Sequence, residues 1–279
     1  MQSLELESDQ PFSLHHTLNC GQVFRWDFRE GWWHGIVGDR ALKIRQDGDT
    51  LTWNGADEEF IRAYFQLDLD LPKITGSFDR DPFIHAAIGR CRGLRLIRQP
   101  RWECTISYIC ATNSNIPMIR KRIELLARAL GTKFTFEGKP YFGFPSPDAI
   151  AGCCNATLTE CKMGYRASYV LDTACRLARV NDWERGISES QYDDARRTLM
   201  QLKGIGPKAA DCILLFAFQK FEAFPIDVWI RRIMQEQYLN GSAASRTLCR
   251  DAEIQKFARD HFGPYCGYAQ EYLYGARLG

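Results

Sequence analysis

Lys208, Cys212 and Asp227 are the residues whose types and spacing could do chemistry. In residues 201–218, QLKGIGPKAADCILLFAF, a lysine stands at the mouth of a glycine turn and heads an almost wholly apolar run. Gly204 and Gly206 bracket Ile205, so the backbone can turn sharply while Ile205 tucks between two helices. Pro207 suits the first helical position, where its missing N–H is no loss. Such a turn leaves unpaired backbone N–H groups at a helix N-terminus, and these suit a phosphate. The helix dipole disfavours the Lys208 charge there, and apolar neighbours add to the effect. Its pKa is therefore expected to fall, giving some neutral amine able to attack carbon. Cys212, one helical turn on, shares the face of Lys208. Asp227, in AFPIDVWIRRI, follows Pro225 and precedes another helical run, so it can cap that helix while facing the turn. A lysine with a nearby carboxylate is the minimum equipment for amine catalysis. The same residues also fit an ordinary helical hairpin with a surface lysine and a capping aspartate.

The elements that must position these residues divide the chain in two. From residue 20 to about 55, the segments QVFRWDF, WWHGIVG, RALKIRQ and TLTWNG are short, aromatic and β-branched, and turn residues separate them. They predict an antiparallel meander. Helical periodicity begins at Glu58 and continues to the end of the chain. RWECTISYICATN reads as a buried helix, Asn115 as the N-cap of the next, Pro117 as part of its first turn and Gly131 as its C-terminal stop. GKPYFGFPSPDAIAG, with three prolines, reads as a loop. The expected fold is α+β: an N-terminal antiparallel β-sheet domain with flanking helices over 1–100, packed on a mostly helical two-part body over 101–279. A helix–hairpin–helix falls at about 190–219.

Composition narrows the class without naming a function. A net charge of +2, from 36 basic and 34 acidic residues, is too balanced to argue nucleic-acid binding. The arginines cluster at 90–101, 120–122, 196–197 and 231–232, which reads first as solvated helix faces. Eleven cysteines, an odd number with no CxxC pair, read as free thiols in a reducing, intracellular compartment. No apolar run reaches the length of a membrane span, and the acidic start is unlike a signal peptide.

LKGIGPKAADC followed by FPIDVW resembles the helix–hairpin–helix DNA glycosylases, and within them the 8-oxoguanine DNA glycosylases. Four further segments, CGQVFRW (20–26), RLIRQPRWECTISYICATNSNI (95–116), GYRASYV (164–170) and FGPYCGYAQEYLY (262–274), carry the likeness across nearly the whole chain. The resemblance implies a monomeric DNA-repair glycosylase and lyase acting on double-stranded DNA that contains 8-oxoguanine. It implies no required cofactor and no metal, with a simple cation at the hairpin carbonyls as an option. Lys208 would be the nucleophile, and Asp227 the carboxylate that helps it. Gln270 would read the Watson–Crick edge of the extruded base, and Tyr274 and Cys212 would sandwich its faces. The Gly21 carbonyl would accept the N7 hydrogen that distinguishes 8-oxoguanine from guanine. Asn113 would fill the gap in the duplex, Tyr165 would wedge the stack and Arg166 would hydrogen-bond the widowed base. Gly204 and Gly206 belong to the phosphate-binding hairpin.

Two positions depart from the family pattern. Met118 stands where a second arginine usually helps select cytosine opposite the lesion, so weak opposite-base discrimination is expected. Trp229 stands where a phosphate-contacting histidine is common, so that contact is lost or replaced. Two competing readings are an alkylated-base glycosylase of the same fold, which generally lacks the lysine, and a non-catalytic hairpin module that only binds DNA. The iron–sulfur branch requires four closely spaced cysteines after the hairpin, where only Cys249 and Cys266 occur.

Overall fold

The computed structural model describes residues 1–180, 182–239 and 250–277; Cys249 lies outside them. Five strands, β1 (Gln2–Glu5), β2 (Trp26–Arg29), β3 (Trp32–Val37), β4 (Arg40–Asp47) and β5 (Thr50–Asn54), form one antiparallel sheet in the order β1-β5-β4-β3-β2. The meander is as expected, and its β2–β3 turn is two residues, Glu30 and Gly31, both at positive φ. Strand β1 was not anticipated. It is short and mostly exposed, and it pairs residue for residue with β5, Leu4 opposite Leu51. Alternation buries Trp33, Leu42, Ile44, Leu51 and Trp53 on one face. Helices α1 (Leu14–Asn19) and α2 (Glu58–Tyr64) add Leu14, Leu18, Ile61 and Tyr64 to this first core.

A second, larger core holds the helices that follow. These begin with α3 (Leu71–Phe78), α4 (Pro82–Arg90), α5 (Arg101–Ala111) and α6 (Ile116–Leu130). Asn115 caps α6 by accepting from the Met118 amide at 3.0 Å, as read from sequence. Gly131 ends α6 for a different reason than expected: its φ is −81°, and a Cβ there would sit 2.0 Å from the Gly143 carbonyl oxygen. Close chain approach, not a left-handed cap, selects that glycine. The prolyl stretch expected as loop, 138–152, instead contains strand β7 (Lys139–Phe142), which pairs with β6 (Lys133–Phe136) just before it. After it come α7 (Pro147–Ala151), α8 (Asn155–Glu160), α9 (Arg166–Leu177), α10 (Trp183–Glu189), α11 (Tyr192–Leu199) and α12 (Pro207–Phe218). The chain closes with α13 (Val228–Ile233), α14 (Asp251–Phe262) and α15 (Cys266–Gly275).

Three helices bring the chemistry together: α12 packs on α5 and α11, while α15 lies against α3, α4, α13 and α14. Gly267 permits the close seat of α15, since a Cβ there would lie 2.4 Å from Leu215 and 2.5 Å from the Ala223 carbonyl. Beneath the hairpin, the fully buried Asp211 accepts from Tyr192 Oη (2.6 Å), Arg196 Nε (2.7 Å) and Gln255 Nε2 (2.7 Å), tying α11, α12 and α14. The arginine clusters are thus not all solvated faces. Arg196 serves this node, and Arg95, 1% exposed, donates to the Gln66 and Leu69 carbonyls.

Candidate active site

The hairpin turn forms as its glycines dictate. Gly204 has φ +83°, and a Cβ would meet Tyr169 at 2.6 Å, so geometry and space both demand glycine. Gly206 has an ordinary φ and open space around it; it is the N-cap of α12 and supplies no side chain to cover the first amides. Ile205 is buried between the helices, as expected.

From the first turn of α12, Lys208 projects with its Nζ 5.4 Å from the centre of the Tyr108 ring. The residue keeps contact with solvent, yet protein surrounds its charged end, with Cys212, Asp227 and Tyr274 all close enough to bias it. The expected fall in its pKa is not found. The Cys212 sulfur, opposed by burial and aided by the Asp227 charge, holds Lys208 above the usual lysine range. Burial in turn pushes the Cys212 thiol up to about 11, against the pull of the Lys208 charge. The resting side chain is an ammonium. Asp227 reaches its place by capping α13, accepting from the Ile230 amide at 2.8 Å, which joins its two sequence readings in one residue.

Helix α15 supplies Gln270 and Tyr274 from one face. Gln270 is 4% exposed and its Oε1 has no hydrogen-bond partner among the described residues. A buried amide oxygen left so is costly unless a ligand donor meets it. Tyr274, half-buried, lies against Gly21: a Cβ on that glycine, at φ +94°, would come 3.7 Å from the tyrosine ring. The two are therefore neighbours although 253 positions apart in sequence, from 274 − 21. Cys212 is buried beside Lys208 and Tyr108. Lys208, Cys212, Asp227, Tyr274 and Gly21 thus converge, with Gln270 on the adjoining turn.

One member was missed from sequence. Glu271, beside Gln270, is 3% exposed, and burial raises its carboxyl to about 7 against a contact with the Cys20 thiol and the Lys208 charge. A charged residue inside the otherwise aromatic CGYAQEYLYG was the available signal.

A second group of residues surrounds Asn113, which is exposed and left-handed (φ +47°), the strained setting of a short loop between α5 and α6. Its Nδ2 lies 3.5 Å from Tyr165 Oη, and Tyr165, 50% exposed, packs edge-on against Tyr169. Thr112 Oγ1 donates to the Gly204 carbonyl at 3.1 Å and joins this loop to the hairpin. Arg166 differs from expectation. It is buried, and its Nε and Nη2 donate to the carbonyls of Thr112 and Asn113, so those donors hold the loop rather than face outward. Arg122 was also missed. From α6 it donates to Ser114 Oγ (2.5 Å) and the Lys162 carbonyl (3.0 Å). Trp229 is 43% exposed at the start of α13.

Residues 4–105 match the model of the 8-oxoguanine DNA glycosylase N-terminal domain. A probable N-glycosylase/DNA lyase of Methanothermobacter thermautotrophicus is 35% identical over 236 residues, 77% of this chain and 73% of that protein. The chain belongs to the 8-oxoguanine DNA glycosylase family. The N-glycosylase/DNA lyase of Saccharomyces cerevisiae is 32% identical over 316 residues, covering 95% of this family member and 83% of the yeast protein. A Clostridium acetobutylicum 8-oxoguanine glycosylase/lyase, solved with double-stranded DNA containing cytosine opposite 8-oxoguanine, superimposes with a TM-score of 0.89 at 31% identity. That match covers 100% of this chain and 98% of the other.

Proposed function

We propose that this glycosylase excises 8-oxoguanine from duplex DNA and then nicks the strand, with Lys208 as the nucleophile. The observation that carries the reading is the position of the Lys208 Nζ over the Tyr108 ring, close enough to Cys212, Asp227 and Tyr274 for all three to bias it. A target atom inside a duplex is reached by rotating the nucleotide out, at an unstacking cost of a few kcal/mol. Asn113 and Tyr165, adjacent and exposed, offset that cost by filling the gap. The extruded base stacks on Tyr274, and its N1–H and amino group are donors suited to the unpartnered Gln270 Oε1. At the Gly21 carbonyl, guanine N7 would oppose lone pair to lone pair, whereas the oxidised base donates a proton.

Chemistry begins when Lys208 gives up its extra proton, which the neighbouring Asp227 carboxylate helps to take. The amine bonds to C1′ as the N-glycosidic bond breaks, and the departing base takes the electron pair. Asp227 stabilises the positive charge that develops on the sugar. Ring opening gives a Schiff base between Lys208 and C1′. Loss of a C2′ proton then expels the 3′ phosphate by β-elimination, and hydrolysis returns the lysine. No step requires a cofactor. A simple cation at the hairpin would share the Leu202 and Gly204 carbonyls, which already accept from the Ile205 amide and Thr112. The enzyme acts as a monomer in an intracellular, reducing setting. Incubation with duplexes holding one 8-oxoguanine or one guanine at the same place tests the reading. Free oxidised base and a β-elimination nick are expected from the first duplex alone; intact strands, or base release without a nick, would overturn it.

A further inference from the structure

Arg277 lies just beyond α15, where the last turn of chain brings it back over Tyr274: its amide donates to the Tyr274 carbonyl at 3.3 Å. Its guanidinium carbon stands 4.7 Å from the centre of the Tyr274 ring and 4.5 Å from the centre of the Trp229 ring. Both fall within the roughly 6 Å at which a cation is attracted to an aromatic face. Among the described residues the two rings make no direct ring–ring contact, so the cation is what links them. Tyr274 packs against the edge of the larger core, whereas Trp229 is 43% exposed. Trp229 and Arg277 border a cavity of about 280 Å³ that α4 and α13 also line, through Phe83 and Arg232. Tyr274 also meets Gly21, where a Cβ would lie 3.7 Å from an edge carbon of the ring.

We propose that Arg277, with Trp229 behind it, is a positioning residue that holds the Tyr274 ring ready to stack on the extruded base. The inference rests on the reading of Tyr274 as the stacking residue. A cation over the face of a half-buried tyrosine helps to fix the ring in advance, and fixing it in advance removes an ordering cost from binding. The guanidinium also draws electron density from the ring, which favours stacking with an electron-rich oxidised purine. The same pair explains Trp229: in place of a phosphate contact it supplies a second aromatic face for the cation.

The test separates base handling from sugar chemistry. Single-turnover excision of 8-oxoguanine and β-elimination at a preformed abasic site, which has no base to stack, are measured on one duplex sequence. Arg277→Met should slow excision by about three- to thirtyfold, the loss expected from one cation–π contact, with less than about a twofold change at the abasic site. Arg277→Lys, which keeps the charge, should recover part of the rate. Trp229→Leu should slow excision too, and add little on top of Arg277→Met. Unchanged excision in Arg277→Met would overturn the proposal. An equal fall in both reactions would also overturn it, pointing to DNA binding or folding. Failure of the wild type to release 8-oxoguanine would instead sink the functional reading beneath it.

Discussion

Cys212 and, behind it, Asp227 hold the Lys208 pKa above the usual lysine range; both neighbours were legible in the sequence, but the direction of their effect was not. From sequence, a lysine in the first helical turn among apolar residues should lose its proton easily; the Cys212 sulfur, with the Asp227 charge behind it, reverses the sign. Glu271 was missed for a related reason, since the groups that bias it, Cys20 at the end of α1 and Lys208 on α12, are remote in sequence. Its carboxyl carries a prediction about stability. The folded value of about 7 lies above the ordinary 4.5, so the folded state keeps a proton that the unfolded chain has lost. Stability should therefore fall as pH rises from about 4.5 to 7, by about 3 kcal/mol in all from this one group. Glu271→Gln should accordingly raise Tm by several degrees at pH 8 and scarcely at pH 4, as thermal unfolding would measure. A gain independent of pH would contradict the assignment.

Among the elements, those with strong local signals were legible before the structure. The meander strands announce themselves by alternation around Trp33, Ile44 and Trp53, and the hairpin by Gly204, Ile205 and Pro207. Strand β1 was not, because it exists only where β5 offers an open ladder, and three of its four residues are exposed. The β6–β7 hairpin hid behind Pro140, which an edge ladder tolerates. Arginine clusters could not be sorted by sequence, since a buried partner such as Asp211 lies on another helix. That carboxylate holds α11, α12 and α14, and so holds the hairpin that carries Lys208. Asp211→Ala would leave Arg196 unpaired, at a cost of about 3–5 kcal/mol. Denaturant unfolding should register this loss of stability; a cost under about 1 kcal/mol would show that the node does not support the hairpin.

At the scale of the whole molecule, the site is assembled from remote pieces: Gly21 between α1 and β2, Lys208 on α12, Asp227 capping α13, and Gln270 and Tyr274 on α15. A family resemblance running the length of the chain made these residues legible, where any one of them alone would pass for a cap, a core aromatic or a surface lysine. The face opposite the lesion is less well furnished. Met118 donates nothing, and Arg166 spends Nε and Nη2 on the Thr112 and Asn113 carbonyls. Excision rates should therefore differ little between C, A, G and T partners. Met118→Arg should shift the preference toward C by about tenfold, the discrimination of one good arginine–base contact. A strong wild-type preference for C would contradict this. Borohydride trapping tests most directly whether the assembled site makes Lys208 a nucleophile toward the sugar. Wild-type protein reduced on duplex DNA containing 8-oxoguanine should form a covalent protein–DNA adduct, and Lys208→Gln, folded and still binding the duplex, should form none. An adduct of equal yield from Lys208→Gln, or none from the wild type, would contradict the central claim.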